Sequence, residues 1–310
     1  MSVLLVIGEA ETSSLWLQTI VAALPEEQVV QPGPGLDRAA VTVAIVAAPP
    51  AGSLQDLPSL AFIQSLWAGV DGLMADPTVP AHVPLARLVD PALTAMMVES
   101  VLLHVLSLHR QMPAYRAFQV DRIWQFLAQK PAADRKIGIL GLGVLGQAAC
   151  VALAGLGFPV SGWSRSPRQV AGVRCLHGAA GLTALLASSE ILVNLLPLTP
   201  ETQGILGAHA FSQLPHGASL INLARGRHLV EADLLAALKT GQLDHAVLDV
   251  LVVEPVPPDH PFWTHKRITL TPHVAAATEP ASAASIAAQA VRDLRAGRPI
   301  RNLVDRAQAY

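Results

Sequence analysis

The chain has 310 residues, 52% of them apolar and only 14% charged, with a formal net charge of −2 and two cysteines. A single core rarely exceeds about 250–300 residues, so two domains are expected. The near-neutral balance removes the electrostatic case for nucleic acid or an anionic membrane as partner, and two cysteines rule out a disulfide framework, which points to a reducing, cytoplasmic setting.

The first ten residues, MSVLLVIGEA, lack a basic segment and already carry Glu9, so they read as a strand and not as a signal peptide. Residues 3–7, 41–46, 61–66 and 85–89 are short apolar runs separated by Pro/Gly-rich connections at 31–35 and 49–52, which predicts a small parallel α/β unit. Residues 94–111 form a helix that is apolar almost all round, with Met96, Met97, Val101, Leu102, Leu103, Val105, Leu106 and Leu108. Such a helix must be covered by another domain or another subunit.

Between Ile137 and Val160 the one clearly polar side chain is Gln147, a length and composition that would suit a bilayer span. Six glycines, Pro159 and a change of period at Gly141–Gly146 predict instead a strand, a glycine turn and a buried helix. Strands follow at 137–140, 159–163, 173–176, 191–196, 219–223, 246–250 and 268–270, mostly unalternated, as in sheets covered on both faces. A helix at 231–239 ends before Gly241, and an amphipathic helix at 279–296 ends before Gly297.

Gly141, Gly143 and Gly146 lie between the first of these strands and its helix. The first glycine suits the turn, the second lets backbone approach a pyrophosphate, and the third lets helix and strand pack. The helix N-terminus, at Val144 and Leu145, faces the anion. NAD sites usually place an acid about 20 residues on, at the end of the next strand. Here that strand runs into Ser164, Arg165, Ser166 and Arg168, and no acid occurs between Asp134 and Glu190. A guanidinium suits a 2′-phosphate, so NADP(H) is favoured over NAD(H); the bland alternative is a pair of solvated arginines.

Three polar residues follow apolar strands on the side where open α/β sheets bind ligands: Arg225, Glu254 and His273. Arginine can grip a carboxylate with two parallel bonds. Histidine can deliver a proton near neutral pH, and a neighbouring carboxylate favours the imidazolium. Each also has an ordinary reading, as a structural ion pair, a cap or a buried hydrogen bond.

The runs Ile221-Asn-Leu-Ala-Arg-Gly226, Asp249-Val-Leu-Val-Val-Glu-Pro255 and Leu270-Thr-Pro-His-Val-Ala-Ala276, downstream of the glycine turn, resemble the signatures of the D-isomer-specific 2-hydroxyacid dehydrogenase family. Residues 158–166, 194–197, 231–238 and 304–307 are most similar to its glyoxylate/hydroxypyruvate reductase branch. The resemblance implies a Rossmann-type doubly wound sheet at 101–275, inserted into a smaller flavodoxin-like α/β substrate domain made of 1–100 and 276–310. It implies that Arg225 binds a small 2-oxoacid, that His273 donates the proton and that Glu254 holds His273, with hydride from NADPH. It also implies that backbone N–H groups of Ala68, Gly69 and Val70 contact the substrate, and that the protein is a homodimer. Asp249 reads as structural. Two departures from the branch bear on substrate size: Ala47 stands where a tryptophan is expected before a Pro pair, and Val252 and Val253 are unusually apolar. The rival readings are a family enzyme for a bulkier 2-oxoacid and a corepressor-like nucleotide sensor.

Overall fold

The computed structural model describes residues 1–307, which divide into two compact units: Met1–Leu93 with the chain from Thr278 onward, and Thr94–Ala277.

The first unit is built on β1 (Ser2–Ile7), β2 (Gln28–Val30), β3 (Val41–Ala47), β4 (Phe62–Ser65) and β5 (Leu85–Ala86), all parallel in the order β2-β1-β3-β4-β5. This is the flavodoxin-like order. Side chains of both parities along β1 and β3 are buried, Val3 and Leu5 as fully as Leu4 and Val6, which is why these strands read as continuous apolar runs. Helix α1 (Ala10–Ala23) packs against α9 (Pro280–Arg295), and a short α2 (Asp71–Ala75) follows β4. The buried stripe of α9 is Ala283, Ala284, Ala287, Ala288 and Val291, small enough for close approach. Glu279 caps it by accepting from the Ala281 and Ser282 N–H groups, and Arg292 and Arg295 pair with Glu26 and Glu27 at 2.6 and 2.7 Å. Strand β5 is shorter than the sequence predicts, and the returning tail pairs beside it: Arg87 N–H donates to the Asn302 carbonyl and Val304 N–H to that of Leu85.

The second unit carries β6 (Ile137–Leu140), β7 (Val160–Ser164), β8 (Arg174–His177), β9 (Ile191–Asn194), β10 (Ala218–Asn222), β11 (Leu243–Leu248) and β12 (Ile268–Leu270). They form one parallel sheet in the order β12-β11-β10-β9-β6-β7-β8, the Rossmann arrangement, with its reversal between β6 and β9. One face buries Leu140, Leu192, Leu220 and Leu248 under α6 (Gly178–Ser188), α7 (Ala208–Gln213) and α8 (Glu231–Thr240). The other buries Ile139, Val193, Ile221 and Val247 under α5 (Val144–Gly155). Helix α8 stops at Gly241, whose φ of 80° is left-handed.

Helix α3 (Pro91–His109) sends Met97, Val101 and Val105 into this second core, while Met96, Leu103 and Leu106 stay exposed. The cover expected all round α3 is therefore partial within one chain. It is the one helix, among the described residues, long and apolar enough to cross a membrane. The apolar stretch 137–160 resolves into β6, the glycine turn, α5 and the start of β7. After α4 (Met112–Asp121) comes a segment with Trp124 and Phe126 exposed.

Candidate active site

The glycine turn leaves β6 at the point where the strand order reverses. Gly141 has φ +100°, and a Cβ there would lie 2.7 Å from the Leu195 carbonyl oxygen. Gly146 is against the turn itself, where a Cβ would lie 1.8 Å from the Gly141 oxygen. Around Gly143 there is nothing within 4 Å of such an atom. The three glycines thus have three separate causes: conformation, access and packing. The N–H groups of Gly143, Val144 and Leu145 donate to no acceptor among the described residues, as expected at the start of α5. This cradle fits a pyrophosphate.

At the end of β7, the Ser164 hydroxyl donates to the Ser166 carbonyl at 2.8 Å and closes a tight turn. Arg165, Ser166 and Arg168 on that turn are exposed. Glu201 is held below the usual carboxylate range, mainly by a hydrogen bond from Thr199 and in smaller part by Arg165.

Arg225 follows β10, Glu254 follows β11 and His273 follows β12, so parallel pairing brings all three to one end of the sheet. Gly226 packs directly on the Leu251–Val252 backbone, where a Cβ would lie 1.9 Å from the Leu251 carbonyl carbon; this seats the Arg225 loop against the Glu254 loop. Glu254 Oε1 accepts from the Leu251 N–H at 2.9 Å, and Oε2 meets His273 Nδ1 at 2.8 Å. The other ring nitrogen, Nε2, meets no partner among the described residues, and the His273 side chain is 51% exposed. One guanidinium nitrogen of Arg225 donates to the Ala224 carbonyl at 2.7 Å.

His273 itself has φ +53°, a left-handed conformation that is uncommon for any residue other than glycine. Asp249 holds the turn around it. Its carboxylate is buried and accepts from the Thr271 hydroxyl at 2.6 Å, the Val274 N–H at 2.9 Å and the Ala275 N–H at 3.0 Å. Its backbone carbonyl accepts the His273 N–H at 2.8 Å. Asp249 therefore shapes the turn that presents the imidazole, a role the sequence does not expose because the partners lie some 25 residues on. Burial lowers the pKa of His104 on α3, and the charge of Asp249 opposes that shift. Sequence reasoning also missed Asn194, Asn222 and His228, three buried polar residues under the Arg225 loop.

In the first unit, the Ser65 hydroxyl closes the turn after β4 by contacts with the Trp67 backbone at 3.0 and 3.1 Å. The next three N–H groups, of Ala68, Gly69 and Val70, donate to no acceptor among the described residues. Ala47 ends β3 and is only 3% exposed, so the exposed residue at that turn is Ala48, at φ +39°.

Residues 102–275 match the D-isomer specific 2-hydroxyacid dehydrogenase, NAD binding domain. The glyoxylate/hydroxypyruvate reductase A of Serratia proteamaculans is 44% identical over 295 residues, 94% of each chain. The chain belongs to the D-isomer-specific 2-hydroxyacid dehydrogenase family. Among solved members of this family, one from Xanthobacter autotrophicus, crystallised with NADPH and MES, is 40% identical and superposes over all of both chains with a TM-score of 0.94. The NADPH-dependent glyoxylate/hydroxypyruvate reductase of Sinorhizobium meliloti, crystallised with NADP and sulfate, is 36% identical with a TM-score of 0.92, again over both whole chains.

Proposed function

We propose that this dehydrogenase-family chain reduces a small 2-oxoacid, glyoxylate or hydroxypyruvate, to its 2-hydroxyacid with NADPH. The observation that carries the reading is the His273–Glu254 contact, which uses Nδ1 and leaves Nε2 open. A carboxylate on Nδ1 fixes the ring, so that Nε2–H can be given to a carbonyl oxygen as it becomes an alkoxide. Arg225 pairs with the substrate carboxylate and draws charge from its carbonyl. In the first unit, the open N–H groups of Ala68, Gly69 and Val70 are donors of the kind a substrate carboxylate takes.

The cofactor assignment rests on the open cradle at Gly141, Gly143, Val144, Leu145 and Gly146, and on the turn of Ser164, Arg165, Ser166 and Arg168, which lacks an acid. Bound NADPH supplies hydride to the carbonyl carbon. Arg165 and Arg168 provide the positive charge that a 2′-phosphate requires, and that makes NADP(H) the preferred form over NAD(H).

The chain works as a homodimer in this reading. Leu103 and Leu106 on α3, with Trp124 and Phe126 beyond α4, are exposed apolar side chains of the kind a second copy would cover. Both cysteines are unpaired, which suits a reducing cytoplasm.

The deciding assay follows NADPH and NADH oxidation against glyoxylate, hydroxypyruvate and 2-oxoacids of increasing size, with the mass in solution measured alongside. Turnover highest on the two small acids with NADPH is the expected result. Turnover favouring the largest acids would move the enzyme to another substrate. None with any acid would leave a nucleotide sensor.

A further inference from the structure

Asn194 closes β9, Asn222 closes β10, and His228 ends the short helical turn Gly226–His228; all three are 0% exposed. Backbone groups fix how each is turned. The Leu196 N–H can only donate and meets Asn194 Oδ1 at 3.2 Å. Asn194 Nδ2 therefore faces both Asn222 Oδ1 and His228 Nδ1, each at 3.0 Å. The Arg225 carbonyl can only accept, and it takes Asn222 Nδ2 at 3.0 Å. That leaves Asn222 Oδ1 for Asn194 and for the Ala224 N–H at 3.3 Å. The Pro197 carbonyl lies 3.2 Å from His228 Nε2, so Nε2 carries the ring proton and bare Nδ1 accepts from Asn194.

This chain of bonds joins two loops. One is the segment after β9, whose Leu195 N–H donates to the Leu140 carbonyl at 2.8 Å and whose Leu195 carbonyl lies against Gly141. The other carries Arg225. His228 is the link that reaches from Asn194 to the Pro197 carbonyl.

We propose that His228, acting through Asn194 and Asn222, is a positioning residue that locks the loop against the glycine turn to the loop that carries Arg225. One buried network thereby sets the cofactor cradle and the arginine together. The proposal rests on the reading that the glycine turn serves NADPH and Arg225 serves the 2-oxoacid. Donors and acceptors buried this completely have no water to replace a lost partner, so each missing bond must be met by a shift of backbone.

Three variants test it. His228→Asn reaches Asn194 but not Pro197, whereas His228→Gln presents an acceptor and a donor side by side, as the imidazole does. Asn222→Ser releases the Arg225 carbonyl directly. The readouts are NADPH affinity by fluorescence titration, the glyoxylate KM, and the pH profile of kcat. His228→Asn is expected to weaken NADPH binding and to raise the glyoxylate KM by about 5–20-fold each, the low end of what an unpaired buried polar group costs. The pH profile should not move, because His273 and Glu254 are untouched. His228→Gln should return both constants to within about threefold of the parent. Asn222→Ser should raise the glyoxylate KM more than it weakens NADPH binding.

Parental constants in His228→Asn overturn the proposal, as does a Gln variant no better than the Asn one. If His228→Asn does not fold, a parental glyoxylate KM in Asn222→Ser overturns it instead. A parent that binds NADPH but turns over no 2-oxoacid would instead defeat the functional reading, and the NADPH titrations would still decide the network.

Discussion

Replacing Asp249 by Asn keeps the side-chain volume and tests whether this carboxylate shapes the turn that carries His273. The group is 1% exposed and accepts three hydrogen bonds, from the Thr271 hydroxyl and the Val274 and Ala275 N–H groups. An amide retains one oxygen and turns an NH2 toward a donor that previously had an acceptor. Losing a charge-assisted bond costs about 1.5–3 kcal/mol, and the unmet buried N–H adds about 1 kcal/mol, so a loss of about 2–4 kcal/mol is expected. For a unit of this size each kcal/mol lowers Tm by about 2–4 °C, giving a fall of about 4–16 °C. Turnover should fall as well, well below the melting range, because His273 at φ +53° is released from its held conformation. Differential scanning calorimetry and NADPH oxidation at 20 °C measure the two effects. A variant with parental Tm and parental kcat would refute this role for Asp249.

His273→Asn should lower turnover by about 10²–10⁴-fold with NADPH binding little changed, and in the parent the reduction rate should fall as pH rises while hydroxyacid oxidation improves; a near-parental rate in a folded, NADPH-binding variant contradicts the mechanism. Arg165→Ala should weaken NADPH far more than NADH, by the roughly 1.5–3 kcal/mol of a charge-assisted contact, and equal losses for both cofactors count against the assignment. His245 is buried against the Thr269 hydroxyl at 2.9 Å and burial lowers its pKa from 6.5 to about 4. Between those values the unfolded chain takes up a proton that the folded chain refuses. Stability should therefore drop on acidification through that window, by up to ~1.4 kcal/mol per pH unit. Urea midpoints from pH 7 to 4 should show a shallower slope in His245→Gln, and identical slopes would refute it.

The strands of the Rossmann sheet were legible because parallel strands covered on both faces carry no polar punctuation except at their ends. The glycine turn was legible because each glycine answers to a separate steric demand. Strand β2 escaped notice: three residues at a sheet edge, beginning with an exposed Gln28, give no run to detect. Strand β5 stops at Ala86 although the apolar run continues to Val89, and nothing in residues 85–89 announces that Leu303 and Val304 return to pair there. At the site, Arg225, Glu254 and His273 stood out as polar residues just past apolar runs. Asn194 and Asn222 fall inside the runs read as strands at 191–196 and 219–223, although the strands end on them, and nothing in those runs marks the two side chains as joined. Their meaning depends on a histidine six residues beyond Asn222 and on carbonyls that sequence does not place.

The return of α9 to the first unit has a consequence for synthesis. Strands β1 to β5 have all left the ribosome once Ala86 has emerged, yet the helix that packs on α1 lies about 200 residues later. At roughly 5–20 residues per second, that partner arrives about 10–40 s afterwards. During that interval α1 and β4 lack the contact with α9, while the second unit can complete its own core. The nascent first unit is thus the stage at which a holdase chaperone, or slower translation after Ala277, would most change the yield of folded protein.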